Sequence, residues 1–187
     1  MNTGIVWLRN TLRLNDNRVL IESIKSTNSD LILPLYILNK NNLILKNNNN
    51  RITFLYESLI DLDARFRAKF GINLTILEGN SEEIFRKLIE HNLLYISEIF
   101  TDYSNKPDDI ESEKKLKRIL SNNTSINFHI ISKANTLTNI EEVVSQENFK
   151  PPKKMKEMEK LFSRIFPKGE SKFYSVDEPL EIPEISK

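Results

Sequence analysis

Two arginines four residues apart, Arg9 and Arg13, are the first side chains in the sequence placed to do chemistry. They follow an apolar run over 4–8 that is typical of a buried strand, and Asp16 comes three residues after Arg13. Open α/β sheets bind ligands at the carboxyl ends of their strands, so either guanidinium could contact a ligand there. The alternative is structural: Arg9 or Arg13 pairs with Asp16 and braces the loop.

The residues after Arg13 predict an amphipathic helix over 16–26. We expect Asp16 to be its N-cap, because a carboxylate there accepts hydrogen bonds from free amides and faces the positive end of the helix dipole. The strand, the arginines and this cap would then form one strand-loop-helix unit.

Apolar runs and helix-like patterns alternate along the first two thirds of the chain. Strands are expected at 4–8, 31–38, 72–77, 95–101 and 126–132, and helices at 16–26, 51–70, 81–91 and 108–121. Continuous apolar strands between amphipathic helices are typical of a parallel sheet covered on both faces. The predicted fold is therefore α/β: a Rossmann-like, open, mostly parallel five-stranded sheet with helices on both faces.

Composition limits the class of protein. A length of 187 residues suits one domain with an extension, and a net charge of +1 gives no strong overall field. The absence of cysteine excludes disulfides, thiolate nucleophiles and cysteine-ligated metals. Since the sequence has neither a run approaching ~20 apolar residues nor a signal pattern, we expect an intracellular protein of the cytoplasm or nucleus, without a membrane partner.

The alternating pattern ends near residue 132. We therefore expect one α/β domain over 1–132 and an extension over 133–187. Within the extension, 136–146 could form a short helix, 153–166 has helical periodicity, and the prolines of 167–187 predict an extended linker.

The segment 7–20 resembles the W-F-R-x-x-L-R-x-x-D-N-x-x-L opening of the photolyase/cryptochrome family. Leu8 stands where the family usually has Phe. Seven other positions keep the family residue at the family spacing: Trp7, Arg9, Leu12, Arg13, Asp16, Asn17 and Leu20. Seven matches at fixed spacing make a specific resemblance, and they assign Trp7, Arg13, Asp16 and Asn17 to a structural motif.

The likeness continues in order through the chain. It covers 34–39, 51–64, 77–83, 99–113, 135–137 and 150–152, and it is closest to animal cryptochromes and six-four photolyases. The match over 99–113 is degraded, with Lys106 in place of Glu, Ser112 in place of Arg and Glu113 in place of Asp.

The resemblance implies a role in light-dependent DNA repair or in blue-light and circadian signalling, as in a photoreceptor. In this family the N-terminal α/β domain holds an antenna chromophore in some members, and a larger helical domain binds FAD. The sequence matches the first domain and the start of the connector between them. The 187 residues alone are thus not expected to perform flavin photochemistry or act as an enzyme, and FAD would bind only with a helical C-terminal domain.

The implied partner is such a FAD-binding helical domain in the same chain, or another protein at the same face, with DNA contacted only indirectly. The alternative from a different class is a diverged, non-enzymatic protein-interaction module on the same fold.

The resemblance also implies an antenna pocket for a folate or a deazaflavin. Its candidate residues are Arg9, Asn39, Lys40, Asp108 and Asp109. The two aspartates fall where folate-binding photolyases contact a pterin, and a carboxylate can accept a pair of N–H groups from such a ring. The alternative is that both acids cap the helix 110–120. Because Asn39 and the segment 106–113 depart from the family, we expect no cofactor bound to this chain.

Two further features leave alternatives open. Neither His91 nor His129 has a partner at metal-ligand spacing, so no metal site is expected. The basic segment 150–168 could bind nucleic-acid phosphates or an acidic partner. Alternatively it is a solvated helix face whose apolar residues pack inward: Met155, Met158, Leu161, Phe162 and Phe166.

Overall fold

A computed structural model describes residues 1–26, 28–39, 49–91, 94–121, 125–132, 145 and 150–165. The strands are β1 (Thr3–Leu8), β2 (Leu31–Leu38), β3 (Thr75–Glu78), β4 (Ile96–Asp102) and β5 (Asn127–Ile131). The helices are α1 (Arg18–Lys25), α2 (Asn49–Phe70), α3 (Ser81–Glu90), α4 (Pro107–Ser121) and α5 (Met155–Ile165). No helix within these ranges is long and apolar enough to cross a membrane.

The five strands form one sheet in the order β3-β2-β1-β4-β5, and every neighbouring pair is parallel. Ile5 in the central strand lies opposite Leu33 on one side and Ile99 on the other. The chain extends the sheet first outward through β2 and β3 and then in the opposite direction through β4 and β5. The carboxyl ends of β1 and β4 therefore flank a switch point, where open α/β sheets form a crevice.

Each face of the sheet carries its own apolar core. Helices α1 and α2 cover one face, where Leu20, Leu62 and Phe66 belong to a buried cluster with Val6 and Phe100. Helices α3 and α4 cover the other, where Phe85 and Leu116 join a cluster with Ile5, Trp7 and Ile99. The predicted fold class, with helices on both faces, is confirmed.

The start of α1 differs from the prediction. Asn17, not Asp16, is the N-cap: its Oδ1 accepts a hydrogen bond from the Leu20 amide at 3.2 Å. Its Nδ2 also donates to the carbonyls of Arg13 at 2.8 Å and Thr11 at 3.3 Å. An amide can cap the helix and hold the preceding loop together, whereas a carboxylate cannot donate. Asp16 instead adopts a left-handed turn conformation, with φ of 51°.

Strand β3 begins three residues later than expected, because the chain before it is bound to a helix. The Leu74 amide donates to Asp63 Oδ1 of α2 at 2.9 Å. Pairing with β2 starts only at Thr75, opposite Leu35.

Helix α5 forms within the expected range 153–166, but its apolar residues are not all packed inward. Met155 is 76% exposed and Met158 is 37% exposed, so the expectation of inward packing is wrong for these two. The expected helix over 136–146, the linker 167–187 and Lys40 lie outside the described residues, apart from Ser145.

Candidate functional site

Arg9 leaves the carboxyl end of β1 and enters a buried ion-pair network. Its Nη2 lies 2.8 Å from Oε1 of Glu113, and its Nε lies 3.6 Å from Oδ1 of Asp102. Nη2 also donates to the Asp102 carbonyl, and Nη1 donates to the Asp109 carbonyl at 3.4 Å. The guanidinium stacks over the Trp7 ring, 4.9 Å from its centre. Both terminal guanidinium nitrogens therefore donate to oxygens of the chain itself, whereas Nε is buried without a hydrogen bond.

Glu113 is a buried acid of this network, and its charge requires a partner. It is buried on the inner side of α4, where Leu116 and Leu120 follow at helical spacing and pack in the core. A buried carboxylate needs a charged or hydrogen-bonding partner, and Arg9 supplies it. Because Asp102 ends β4, the single arginine ties together β1, β4 and α4. Its side chain is only 6% exposed, so its principal role is structural.

Arg13 behaves as the structural alternative expected. Its Nε and Nη2 donate to the Asp16 carbonyl at 3.2 and 3.0 Å, and Nη2 lies 3.7 Å from the Asp16 carboxylate. Both side chains are exposed. The pair braces the turn before α1, whereas Arg9 pairs with other carboxylates and not with Asp16.

A second polar network holds Asp109 at the start of α4. Asn10 Nδ2 donates to Asp109 Oδ2 and to Asp102 Oδ2, each at 3.0 Å. Ser104 Oγ donates to the same Asp109 oxygen at 2.5 Å, and Lys106 Nζ donates to Asn10 Oδ1. Asp109 is thus fixed through its Oδ2 alone, and in the described part of the chain its Oδ1 receives no hydrogen bond.

The surroundings of Asp109 favour its charged form. Burial alone would raise the pKa of Asp109. Hydrogen bonds from Ser104 and Asn10 and the nearby Arg9 and Lys106 cations lower this pKa by more than burial raises it, so it lies below the usual value of 3.8. The carboxylate is consequently an anionic hydrogen-bond acceptor at neutral pH.

A cavity of about 210 Å³ opens between the ends of β1 and β2 and the first turn of α4. Trp7 and Leu38 give it apolar walls, while Tyr36 and Asp109 give it polar ones. Burial and then the Asp109 charge raise the pKa of Tyr36, so its hydroxyl stays protonated and can donate. The cavity therefore places the Asp109 acceptor and the Tyr36 donor beside apolar walls, among further polar lining residues.

Four of the five residues expected at an antenna pocket line this one cavity: Arg9, Asn39, Asp108 and Asp109. The two aspartates also lie in the first turn of α4, where their charge is favourable to the helix dipole, so the capping alternative fits the same geometry. Asp108 is exposed at the rim, whereas Asp109 is partly buried.

Four residues that hold the site in place are not singled out by any motif in the sequence: Asn10, Asp102, Ser104 and Glu113. Two of them carried a usable signal. Asp102 immediately follows the predicted strand 95–101, and Glu113 interrupts the apolar spacing of a predicted helix. An acid on an apolar helix face indicates a buried partner, and Arg9 was the available cation at the same edge of the sheet.

A separate cluster surrounds the buried carboxylate of Glu98 in β4. Ser26 and Ser29 donate to its Oε2 at 2.5 and 3.1 Å, and Asn28 lies 3.4 Å from its Oε1. His129 Nε2 lies 3.0 Å from Oε1, so this histidine does have a partner, although a distant one in sequence. The described residues hold no group of three or more His, Cys, Asp or Glu suited to a metal ion.

Comparisons with known proteins place this geometry in a family. A family model described as DNA photolyase matches residues 4–179. The chain belongs to the DNA photolyase family. Cryptochrome-1 of Spalax judaei is 29% identical over 186 residues, covering 96% of this chain and 28% of the relative. Cryptochrome-1 of Gallus gallus is 28% identical over 185 residues, covering 96% of this chain and 26% of the relative.

Solved structures of photolyase-family proteins share the fold. A photolyase from Sulfolobus tokodaii, solved with two FAD molecules, superposes with a TM-score of 0.57 at 26% identity, covering 68% of this chain and 28% of the photolyase. A cryptochrome from Synechocystis superposes with a TM-score of 0.72 at 20% identity, covering 88% of this chain and 34% of its own. The chain is the family's N-terminal α/β domain, and it spans about a quarter of the length of the cryptochromes that it matches.

Proposed function

We propose that this chain serves as the N-terminal α/β domain of a photolyase-family protein acting in light-dependent DNA repair or in blue-light and circadian signalling. The observation that carries the proposal is the cavity beside the switch point, lined by Arg9, Asn39 and Asp109 and formed within the family's own motif. In this role the domain supports a FAD-binding helical domain, and the residues described here supply no flavin chemistry themselves.

Although the departures at Asn39 and 106–113 predict no bound cofactor, the size of the cavity supports a place for one ring system of an antenna chromophore. Its volume of about 210 Å³ is below the roughly 300–1,000 Å³ of sites that enclose a whole drug-sized ligand. Asp109 Oδ1 can accept an N–H group from an amino-substituted ring, and the Tyr36 hydroxyl can donate to a ring acceptor. A chromophore of the folate or deazaflavin type would absorb light and pass the excitation energy to a flavin.

Binding of such a ring to the purified 187-residue chain tests the proposal. Folate and deazaflavin chromophores would be titrated by equilibrium dialysis and absorption, with the wild-type chain and two variants. Asp109→Asn should weaken binding about tenfold or more, because the anionic acceptor is lost. Glu111→Gln is the matched control, since Glu111 is an exposed acid on the same helix outside the cavity lining. Absence of binding to the wild type, or equal binding by both variants, contradicts the antenna role.

The alternative function is a non-enzymatic protein-interaction module. The exposure of Met155 favours it, since 76% of this apolar side chain is open to solvent. Under this alternative no chromophore binds, and Met155→Glu reduces association with the partner protein while Asp109→Asn does not.

A further inference from the structure

The outer side of α4 carries three cations that no acid neutralises in the described part of the chain. Lys114, Lys117 and Arg118 are all exposed, and they make no ion pair within the described ranges. The next cation on the same helix does have an acid within reach, because Lys115 Nζ lies 3.6 Å from a carboxylate oxygen of Glu82 on α3. The positive charge of the three is therefore available to an anion from outside the chain.

Cations on the neighbouring helices are neutralised within their own helix. On α2, Arg65 lies 2.8 Å from Asp61, and on α3, Arg86 lies 3.1 Å from Glu82. On α4 the arrangement is the opposite, because like charges three and four residues apart are neighbours and destabilise a helix. The helix dipole offsets this repulsion only in the last turn, where Arg118 lies. Helix stability alone does not favour the cluster.

The three cations are held close together on a rigid support. They lie within positions 114–118, with about 6 Å between neighbours, and their centre is about 130° around the helix from the side formed by Leu116 and Leu120. These two leucines are buried in the core, and Glu113 on the inner side lies 2.8 Å from Arg9. The helix is therefore fixed from within while the cations face solvent.

We propose that the α4 cluster, formed by Lys114, Lys117 and Arg118, binds a phosphorylated serine or threonine of a partner protein. Such a phosphoryl group carries nearly two negative charges and three acceptor oxygens, so all three cations can contact it at once. The Arg118 guanidinium can donate a pair of N–H groups to two of these oxygens. The proposal is separate from the function of the cavity, because it concerns other residues and holds whatever the cavity binds.

Acids on the same helix limit the length of the positive surface. Glu111 is exposed about one turn before Lys114, and Asp108 is exposed in the first turn of α4. A run of phosphates or carboxylates laid along the helix would meet this negative charge within about 5 Å of the cluster. Since a nucleic acid binds through many phosphates and an acidic peptide spreads its charge over several residues, the short cluster favours a single phosphoryl group.

Binding of fluorescently labelled peptides to the full 187-residue chain, measured by anisotropy, tests the proposal. The probe is a pool of short peptides that carry one central phosphoserine among randomised uncharged residues, and the comparison pool has serine at that position. The wild-type chain should bind the phosphorylated pool about tenfold or more tightly than the comparison pool, because only the phosphoryl group pairs with the cations. The triple variant Lys114→Gln, Lys117→Gln, Arg118→Gln should lose this preference.

The matched control is Lys153→Gln, Lys156→Gln, Lys160→Gln, which removes the same charge from exposed positions in and before α5 and should bind like the wild type. The variant Lys114→Arg, Lys117→Arg keeps the charge and should keep the preference. Circular dichroism and thermal unfolding would verify that each variant folds. Equal losses in both triple variants would overturn the proposal, because they would show a response to net charge alone.

Two further results would count against the α4 cluster as a phosphoryl site. Equal binding of the phosphorylated and unphosphorylated pools by the wild type would overturn the proposal. Binding of a polyglutamate peptide or of a DNA duplex as tight as that of the phosphorylated pool would also overturn it, and would assign the cluster to an acidic segment or to a nucleic acid instead.

Discussion

His129 Nε2 lies 3.0 Å from Oε1 of Glu98, a carboxylate that is only 1% exposed. The imidazole also stacks on Phe100, with 4.6 Å between ring centres. Since Ser26, Asn28 and Ser29 complete the hydrogen bonds to Glu98, this carboxylate connects the end of α1 and the loop after it to β4 and β5.

Glu98 should make stability depend on pH in the acid range. Burial raises the pKa of Glu98, but hydrogen bonds from Ser26, Ser29, Asn28 and His129 lower it more, so the net pKa lies below 4.5. A group with a lowered folded pKa contributes stability above its unfolded pKa and loses it as the pH falls through the folded value.

Glu98→Gln should therefore lower the free energy of unfolding by about 1–3 kcal/mol at pH 7, because its amide cannot satisfy the same donors. The difference from the wild type should shrink below pH 4.5. Urea unfolding between pH 7 and pH 3 measures this, with Glu111→Gln as the exposed control. If the difference in unfolding free energy between the wild type and Glu98→Gln stays constant with pH, the negative charge of Glu98 is not what stabilises the fold.

Removing Glu113 should be costly because Arg9 would lose a buried partner. We expect Glu113→Ala to reduce the free energy of unfolding by about 3 kcal/mol, near the lower end for a broken buried pair, since Arg9 keeps Asp102. A double-mutant cycle with Arg9→Met should give a coupling energy of about 1–3 kcal/mol. Asp61→Ala, which breaks the exposed pair with Arg65, should cost less than about 1 kcal/mol. Similar losses of unfolding free energy for the buried and exposed pairs would show that the pair of Arg9 and Glu113 does not stabilise the fold as a buried ion pair.

At the start of α1, substitutions of the adjacent residues Asn17 and Asp16 should affect stability to different extents. Asn17→Ala should reduce stability by about 1–2 kcal/mol, because the cap and two loop hydrogen bonds are lost. Asp16→Gly should change stability by less than about 1 kcal/mol, since glycine adopts the left-handed turn without strain. Thermal unfolding of both variants tests this, and a larger effect at Asp16 would restore it as the cap.

The purified 187-residue chain should not retain FAD. The cavity holds about 210 Å³, and none of the four glycines forms a G-x-G arrangement that could cradle a pyrophosphate. Absorption and fluorescence of ligand released by denaturation would detect a bound flavin. A stoichiometric yield would show that these residues suffice to bind it.

Residues 1–132 should fold without the extension. All five strands and every member of both core clusters lie within this range. A fragment ending at residue 132 should unfold cooperatively, within a few degrees of the full chain. A much less cooperative unfolding transition, or a much lower unfolding midpoint, would show that part of the core lies in 133–187.

Sequence patterns predicted the strands well because buried parallel strands are continuous apolar runs. They were less reliable at the ends of elements: side-chain contacts decide where α1 and β3 begin, and neither Asn17 nor Asp63 is marked by periodicity. The site was predictable only in part. Arg9 and Asp109 were expected at one edge of the sheet, but the acids that bind Arg9 lie 93 and 104 positions away, beyond the reach of any local pattern.

That separation also orders events on the ribosome. The central strand is made first, and Arg9 emerges 104 residues before Glu113. At about 5–20 residues per second, the nascent chain carries this cation without its buried carboxylates for roughly 5–20 seconds. During translation β2 can add to β1 early, but the other side of the central strand stays open until β4 emerges, and the arginine is locked only after α4 follows.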